Sequence, residues 1–225
     1  MQTIDLSQQE IRVLNQLLHT AGHSDPVHVT NPNGKHSVAV GATVGVEVTI
    51  DGHVGYYCAG MNQLARINVN GNAGPGLAEN MMSGQVRIAG DASQYCGATA
   101  HGGLLVIEGN AAARCGISMK GVDIVVGGNV GHMSAFMAQA GRLVICGDAG
   151  DALGDSIYEA RIYVKGTVKS TGADCEEKQM KDEHLEELSG LLSDAGFAGQ
   201  SAKDFRRYGS ARKLYHFNID NANAY

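Results

Sequence analysis

Ile67-Asn-Val-Asn-Gly71-Asn-Ala-Gly74, Val86-Arg-Ile-Ala-Gly90-Asp-Ala-Ser93 and Leu105-Val-Ile-Glu-Gly109-Asn-Ala-Ala112 are copies of one phrase set 19 residues apart. The same phrase recurs without a slip around Gly52, Gly71, Gly90, Gly109, Gly128, Gly147 and Gly166, seven times in all. Four residues before each glycine stand Val48, Ile67, Val86, Leu105, Ile124, Leu143 and Ile162. Two before it stand Ile50, Val69, Ile88, Ile107, Val126, Ile145 and Val164, and two after it Val54, Ala73, Ala92, Ala111, Val130, Ala149 and Val168. A strict period near 20 marks a solenoid, in which each coil buries its apolar face only against its neighbours. Within each coil the apolar positions alternate with period two, the signature of short strands and not of helices.

A coil of 19 residues closes with two or three short strands joined at glycine corners, where positive φ or close backbone approach is needed. Stacked coils pair their strands in parallel about 4.8 Å apart, so seven make a rod of roughly 30 Å. Parallel connections are overwhelmingly right-handed. The expected fold is therefore all-β, a right-handed parallel β-helix of seven coils with short terminal helices. A leucine-rich repeat lacks its asparagine–leucine signature here, and 19 is no multiple of the hexapeptide period of left-handed helices.

Outward from the repeat, three segments are expected: 1–45 as an N-terminal helix and capping segment, 46–168 as the β-helix, and 169–225 as linker, helix and docking tail. Ser7 and Glu10 have capping-box spacing, and Ile11, Leu14, Leu17 and Leu18 form one apolar face that ends at Gly22. A bare strand edge invites association, so this helix or the segment around Val27–Val40 is expected to cap the first coil. A second helix is expected around His184–Ala195, with Leu185, Leu188, Leu191 and Leu192 on one face and Gly190 weakening it. The last stretch interleaves Phe205, Arg206, Arg207, Tyr208, Arg212 and Tyr215. Arginine with tyrosine is the usual composition of interface hot spots, so these six are the candidate subunit interface.

The 225 residues carry a net charge of −6, which argues against nucleic acid or an anionic membrane as partner. No apolar run reaches membrane-spanning length, and the N-terminus lacks the basic and apolar regions of a signal peptide. Five cysteines give no disulfide framework, so a cytoplasmic location is expected. Cys58, Cys96 and Cys115 each lie six residues past a repeat glycine, where Leu77, Ser134 and Leu153 are equivalent, so the slot reads as core and not as metal ligation. His101 and His132 sit near turns and read as bonds to a neighbouring coil. Asn72, Asp91, Asn110, Asn129 and Asp148, each just after a glycine, read as a turn ladder and not as paired catalytic carboxylates. No P-loop, nucleophile elbow or triad spacing occurs, and no catalytic, cofactor-binding or metal-binding residue is expected. An extended-polymer enzyme would need a stripe of acids or aromatics at constant offset, yet Tyr56 and Tyr57 are followed one coil later by Pro75 and Gly76.

The G-[ND]-[AV]-G corners, with Gly71-Asn-Ala-Gly-Pro-Gly76, Gly128-Gly-Asn-Val-Gly131 and Gly147-Asp-Ala-Gly150, resemble the GXGXG β-helix family. That family includes the C-terminal domain of the glutamate synthase large subunit and one subunit of formylmethanofuran dehydrogenase. Ala78-Glu-Asn-Met-Met-Ser-Gly84, Gly116-Ile-Ser-Met-Lys-Gly121, Ser134-Ala-Phe-Met137, Leu153-Gly-Asp-Ser-Ile-Tyr-Glu-Ala160 and the tail from Phe205 to Phe217 are most similar to its free-standing subunits, above all those of N-methylglutamate synthases. The resemblance implies a non-catalytic scaffold in a hetero-oligomer. Its partners would be a class II glutamine-amidotransferase-like subunit and an FMN-binding synthase subunit that also carries an iron–sulfur cluster.

Overall fold

In the computed structural model, residues 1–213 are described. Tyr215, one of the candidate interface residues, lies outside them, as does Phe217. Nine parallel strands stack in chain order: β1 Gln2–Asp5, β2 Val27–Thr30, β3 Glu47–Asp51, β4 Arg66–Asn70, β5 Gln85–Ile88, β6 Leu104–Ile107, β7 Lys120–Val126, β8 Ala140–Ile145 and β9 Arg161–Val164. Their register follows the repeat, with Val48 beside Ile67, Ile67 beside Val86, and so on to Ile162. A second ladder runs from Val54 through the alanines to Val168, every bridge parallel. The chain is the parallel β-helix that the period predicts.

The sheet extends past the repeat at both ends. β1 and β2 precede the first glycine phrase, yet they pair in parallel with one another and with β3. Helix α1 (Ile11–Leu18) buries Leu14 and Leu18 in the same core as the coils. The capping box foreseen at Ser7 and Glu10 does not form. The Asp5 carboxylate, at the end of β1, accepts both the N–H and the hydroxyl of Ser7, and the helix starts only after Glu10. At the far end, β10 (Cys175–Lys178) and β11 (Arg206–Ser210) close the stack, with β11 antiparallel to both β9 and β10. An antiparallel last strand ends the parallel stack, with Tyr208 and Cys175 joining the end of the core.

A second layer lies outside the tube. Three residues before the glycines, on the outward face of the sheet, Thr49, Asn68 and Arg87 give way to Val106, Val125, Val144 and Tyr163, all four fully buried. Helix α2 (Asp182–Asp194) covers them with Leu188, Leu191 and Leu192, joined by Ala195, Ala202 and Phe205. The C-terminal end of α2 is held by Arg87, whose Nη1 donates to the Ala195 carbonyl at 3.0 Å. A cation there also complements the helix dipole.

The third wall is not extended strand. Non-glycine residues at offsets five, seven and nine take left-handed φ, among them Tyr57, Ala59 and Met61 at 59°, 55° and 55° and Met133, Ala135 and Met137 at 54°, 57° and 53°. Each such residue costs about 1–2 kcal/mol relative to right-handed backbone. The return is a bond to the coil on either side in turn. Tyr57 and Met61 N–H reach Pro75 and Glu79 carbonyls in the next coil, while Ala59 N–H reaches Val38 in the previous one.

Candidate functional site

The glycine corners show why the phrase is invariant within the chain. Of the seven repeat glycines only Gly52 has positive φ, so conformational freedom is not the common cause. Close approach is. A methyl at Gly71 would lie 2.6 Å from the Gly52 carbonyl carbon, and at Gly90, Gly109, Gly147 and Gly166 it would collide with the side-chain oxygen of Asn72, Asp91, Asn129 and Asp148 respectively. Those oxygens are the ladder. Asn72 Oδ1 accepts Asp91 N–H at 2.9 Å, Asp91 Oδ1 accepts Asn110 N–H at 2.7 Å, and the series continues through Asn110 and Asn129 to Asp148. Asp148 Oδ1 in turn accepts both the N–H and the hydroxyl of Thr167, which holds its carboxyl below the usual range. His53 Nδ1 begins the ladder by accepting Asn72 N–H at 2.9 Å. This role belongs to His53, and to His36, which accepts Tyr56 N–H, and not to the exposed His101 and His132 singled out in the sequence.

The tail residues are placed on the end of the rod. Phe205 and Tyr208 are 4% exposed, spent on the outer and inner cores respectively. Arg207 donates from Nε and Nη2 to the Gln179 carbonyl, and Arg206 donates to the Gly166 carbonyl while its guanidinium lies 5.9 Å from the Tyr208 ring. Arg212 pairs with Glu159 and remains largely exposed. Within this chain the two aromatic rings fasten β11, and the arginines present their outer edges.

A cluster of charged groups sits where α2 meets the sheet. Glu187 accepts from Tyr163 Oη at 2.6 Å, Arg161 Nη1 at 2.7 Å and Arg142 Nη1 at 3.2 Å, and Arg142 grips Asp123 with Nε and Nη2. Burial alone would push the Glu187 carboxyl up, but the Tyr163 and Arg161 bonds outweigh it and the net direction is down. Asp123 goes the other way, because burial exceeds what Arg142 returns. Burial first, then Glu187, pushes the Tyr163 hydroxyl up. Arg142, Arg161 and Glu187, with Gly121, Gly141 and Glu159, line a cleft of about 280 Å³. Each acid already has a cation or a phenol, so the group locks α2 to coils five to seven. The sequence signal was the polar-to-apolar change at one offset, from Arg87 to Val106.

Cys58, Cys96 and Cys115 are fully buried in one column with Leu77, Ser134 and Leu153. Burial pushes the Cys58 thiol up to about 12, and the Cys96 contact followed by burial raises Cys115. Among the described residues, no three histidine, cysteine or acidic side chains gather as a metal-binding group. No helix among them is long and apolar enough to cross a membrane.

No family model matches the chain. It is 64% identical over 228 aligned residues, the whole of both chains, to Protein GlxC of Rhizobium meliloti (strain 1021). With that identity over the whole of both chains, the chain belongs to the GlxC family.

Proposed function

We propose that this chain is the scaffold subunit of a glutamate-synthase-like complex, most specifically an N-methylglutamate synthase. That enzyme joins methylamine to L-glutamate, giving N-methyl-L-glutamate and ammonia. A class II glutamine-amidotransferase-like subunit and an FMN-binding synthase subunit with an iron–sulfur cluster carry the chemistry, and the rod fixes their separation. The observation that supports this reading is mechanical. Backbone ladders run the length of the sheet and along the Val54–Val168 line, around one apolar core. A densely packed interior resists bending, so two active sites docked on it would keep a constant distance for a reactive amine to cross.

The test is native purification followed by an absorbance spectrum and mass analysis. The reading expects a yellow complex of three kinds of chain whose turnover of methylamine exceeds that of ammonia. A preference for ammonia would move the assignment to a split glutamate synthase. A colourless protein without companions would refute the scaffold role.

A further inference from the structure

Five residues past the repeat glycines, Tyr57, Gly76, Tyr95 and Arg114 stack in one column, one per coil. Backbone bonds hold that column, Tyr57 N–H to Pro75 O at 2.8 Å and Gly76 N–H to Gln94 O at 2.9 Å. Tyr95 already carries a cation on its far side: the Arg114 guanidinium carbon lies 5.8 Å from the ring centroid, and Nη1 donates to the hydroxyl at 3.4 Å. On its near side Gly76 contributes no side chain. Tyr57 and Tyr95 thus stand in the coils on either side of a position without a side chain, their backbones about 9.6 Å apart. Together with Tyr56, Pro75 and Glu79 they line a cleft of about 350 Å³.

The slot has a charge preference. The point a Gly76 Cβ would occupy is 2.9 Å from Glu79 Oε2 and 3.6 Å from Tyr57 Cδ2, so the carboxylate sits in the gap beside the ring. Glu79 is half-buried, and among the described residues no lysine or arginine pairs with it. Tyr56 in the lining is 57% exposed, and Met61, 44% exposed, is tied to the site by its N–H, which bonds the Glu79 carbonyl at 2.8 Å. Exposed apolar groups that cluster, and are not scattered singly, mark interaction surfaces.

We propose that this tyrosine cleft on the first three coils receives an arginine side chain of a partner protein, the guanidinium resting against the tyrosine rings with its charge on Glu79. A guanidinium is planar, stacks on aromatic faces and binds carboxylate with a matched fork. The column repeats inside the chain what the partner would add, since Arg114 fills the equivalent space one coil beyond Tyr95. The apolar mouth then packs against the residues that flank the arginine. The identity of the partner as a synthase or amidotransferase subunit rests on the scaffold reading above.

Two measurements separate the site from that reading. In the full chain carrying labelled methionine methyls, N-acetyl-arginine-methylamide should saturably shift the Met61 methyl and leave Met137 unmoved. Glu79→Gln should weaken this by about tenfold, the scale of a desolvated cation–π and charge-assisted contact. No saturation, equal affinity in Glu79→Gln, or saturation by tetramethylammonium but not by the arginine probe would overturn the proposal. In co-expression with the two partner chains, Glu79→Arg should abolish binding of one of them while the far-ultraviolet spectrum stays that of the native chain. Unchanged assembly would overturn the arginine slot and leave the scaffold intact. Failure of the unsubstituted chain to assemble would overturn the scaffold, and the probe titration would then decide the slot alone.

Discussion

Gly90→Ala puts a methyl into space that Asn72 Oδ1 already occupies, and that oxygen is bonded to Asp91 N–H. The next contact, Gly71 O at 3.0 Å, is tight but tolerable. The methyl must displace the amide and break one rung. Overpacking costs about 1–3 kcal/mol and the lost bond about 0.5–1.5 kcal/mol, while stiffening the unfolded chain returns about 0.4–1 kcal/mol. The net expectation is a loss of about 2 kcal/mol. Asn72→Gly alone removes the rung and adds unfolded-state entropy, for a loss of about 1–2 kcal/mol. The double variant no longer has anything to collide with, so it should be no less stable than Asn72→Gly by itself. Urea unfolding followed by far-ultraviolet circular dichroism gives all four corners of the cycle, and the coupling should be about 1–3 kcal/mol. If the two losses add to within about 0.5 kcal/mol, the glycine is not there to make room for the ladder and the corner argument fails.

Gly190→Ala meets nothing within 4 Å in the middle of α2 and should stabilise the protein by about 0.5–1 kcal/mol, read as a higher urea midpoint. Leu188→Ala, fully buried between α2 and the sheet, should cost about 2–5 kcal/mol, with hydrogen exchange speeding in α2 before the inner core. The Asp148 carboxyl is held below 3.8, so its contribution is complete above that value and is lost as pH falls through its folded pKa. Asp148→Asn should therefore flatten the acid limb of the stability curve below about pH 4, and an unchanged limb would remove Asp148 from the account. Native Cys58, its thiol pushed up to about 12 by burial, should resist iodoacetamide at pH 8 and react at once in urea, as mass spectrometry would show.

The inner tube was legible because each apolar position repeats at one offset and a one-residue slip would turn every side chain outward. The outer layer was also written, in the run Val106, Val125, Val144 and Tyr163, but a two-period template treats that offset as a solvent position. The tail reads two ways for a physical reason. Arginine and aromatic residues suit a docking face and a strand that closes a barrel end equally well, and only pairing with β9 reveals where Phe205 and Tyr208 go. The absence of a continuous stripe argues against a polymer-binding face but leaves the gap at Gly76 unread. That gap is one missing side chain between two tyrosine positions, which a search for recurring groups passes over. The left-handed third wall has no marker in composition, since alanine, serine, methionine and tyrosine together fill it more often than glycine does.

A rod of equal coils poses an addressing problem. Any partner that recognised the repeat alone could settle at several translationally equivalent places, each one step from the next. Here the interior is uniform while the outside is not. α2 occupies only the face over the last four coils, Arg87 marks its boundary, and the tyrosines belong to the first three. The molecule thus has a graduated scale whose marks differ, and a bound neighbour is assigned both a position and a polarity.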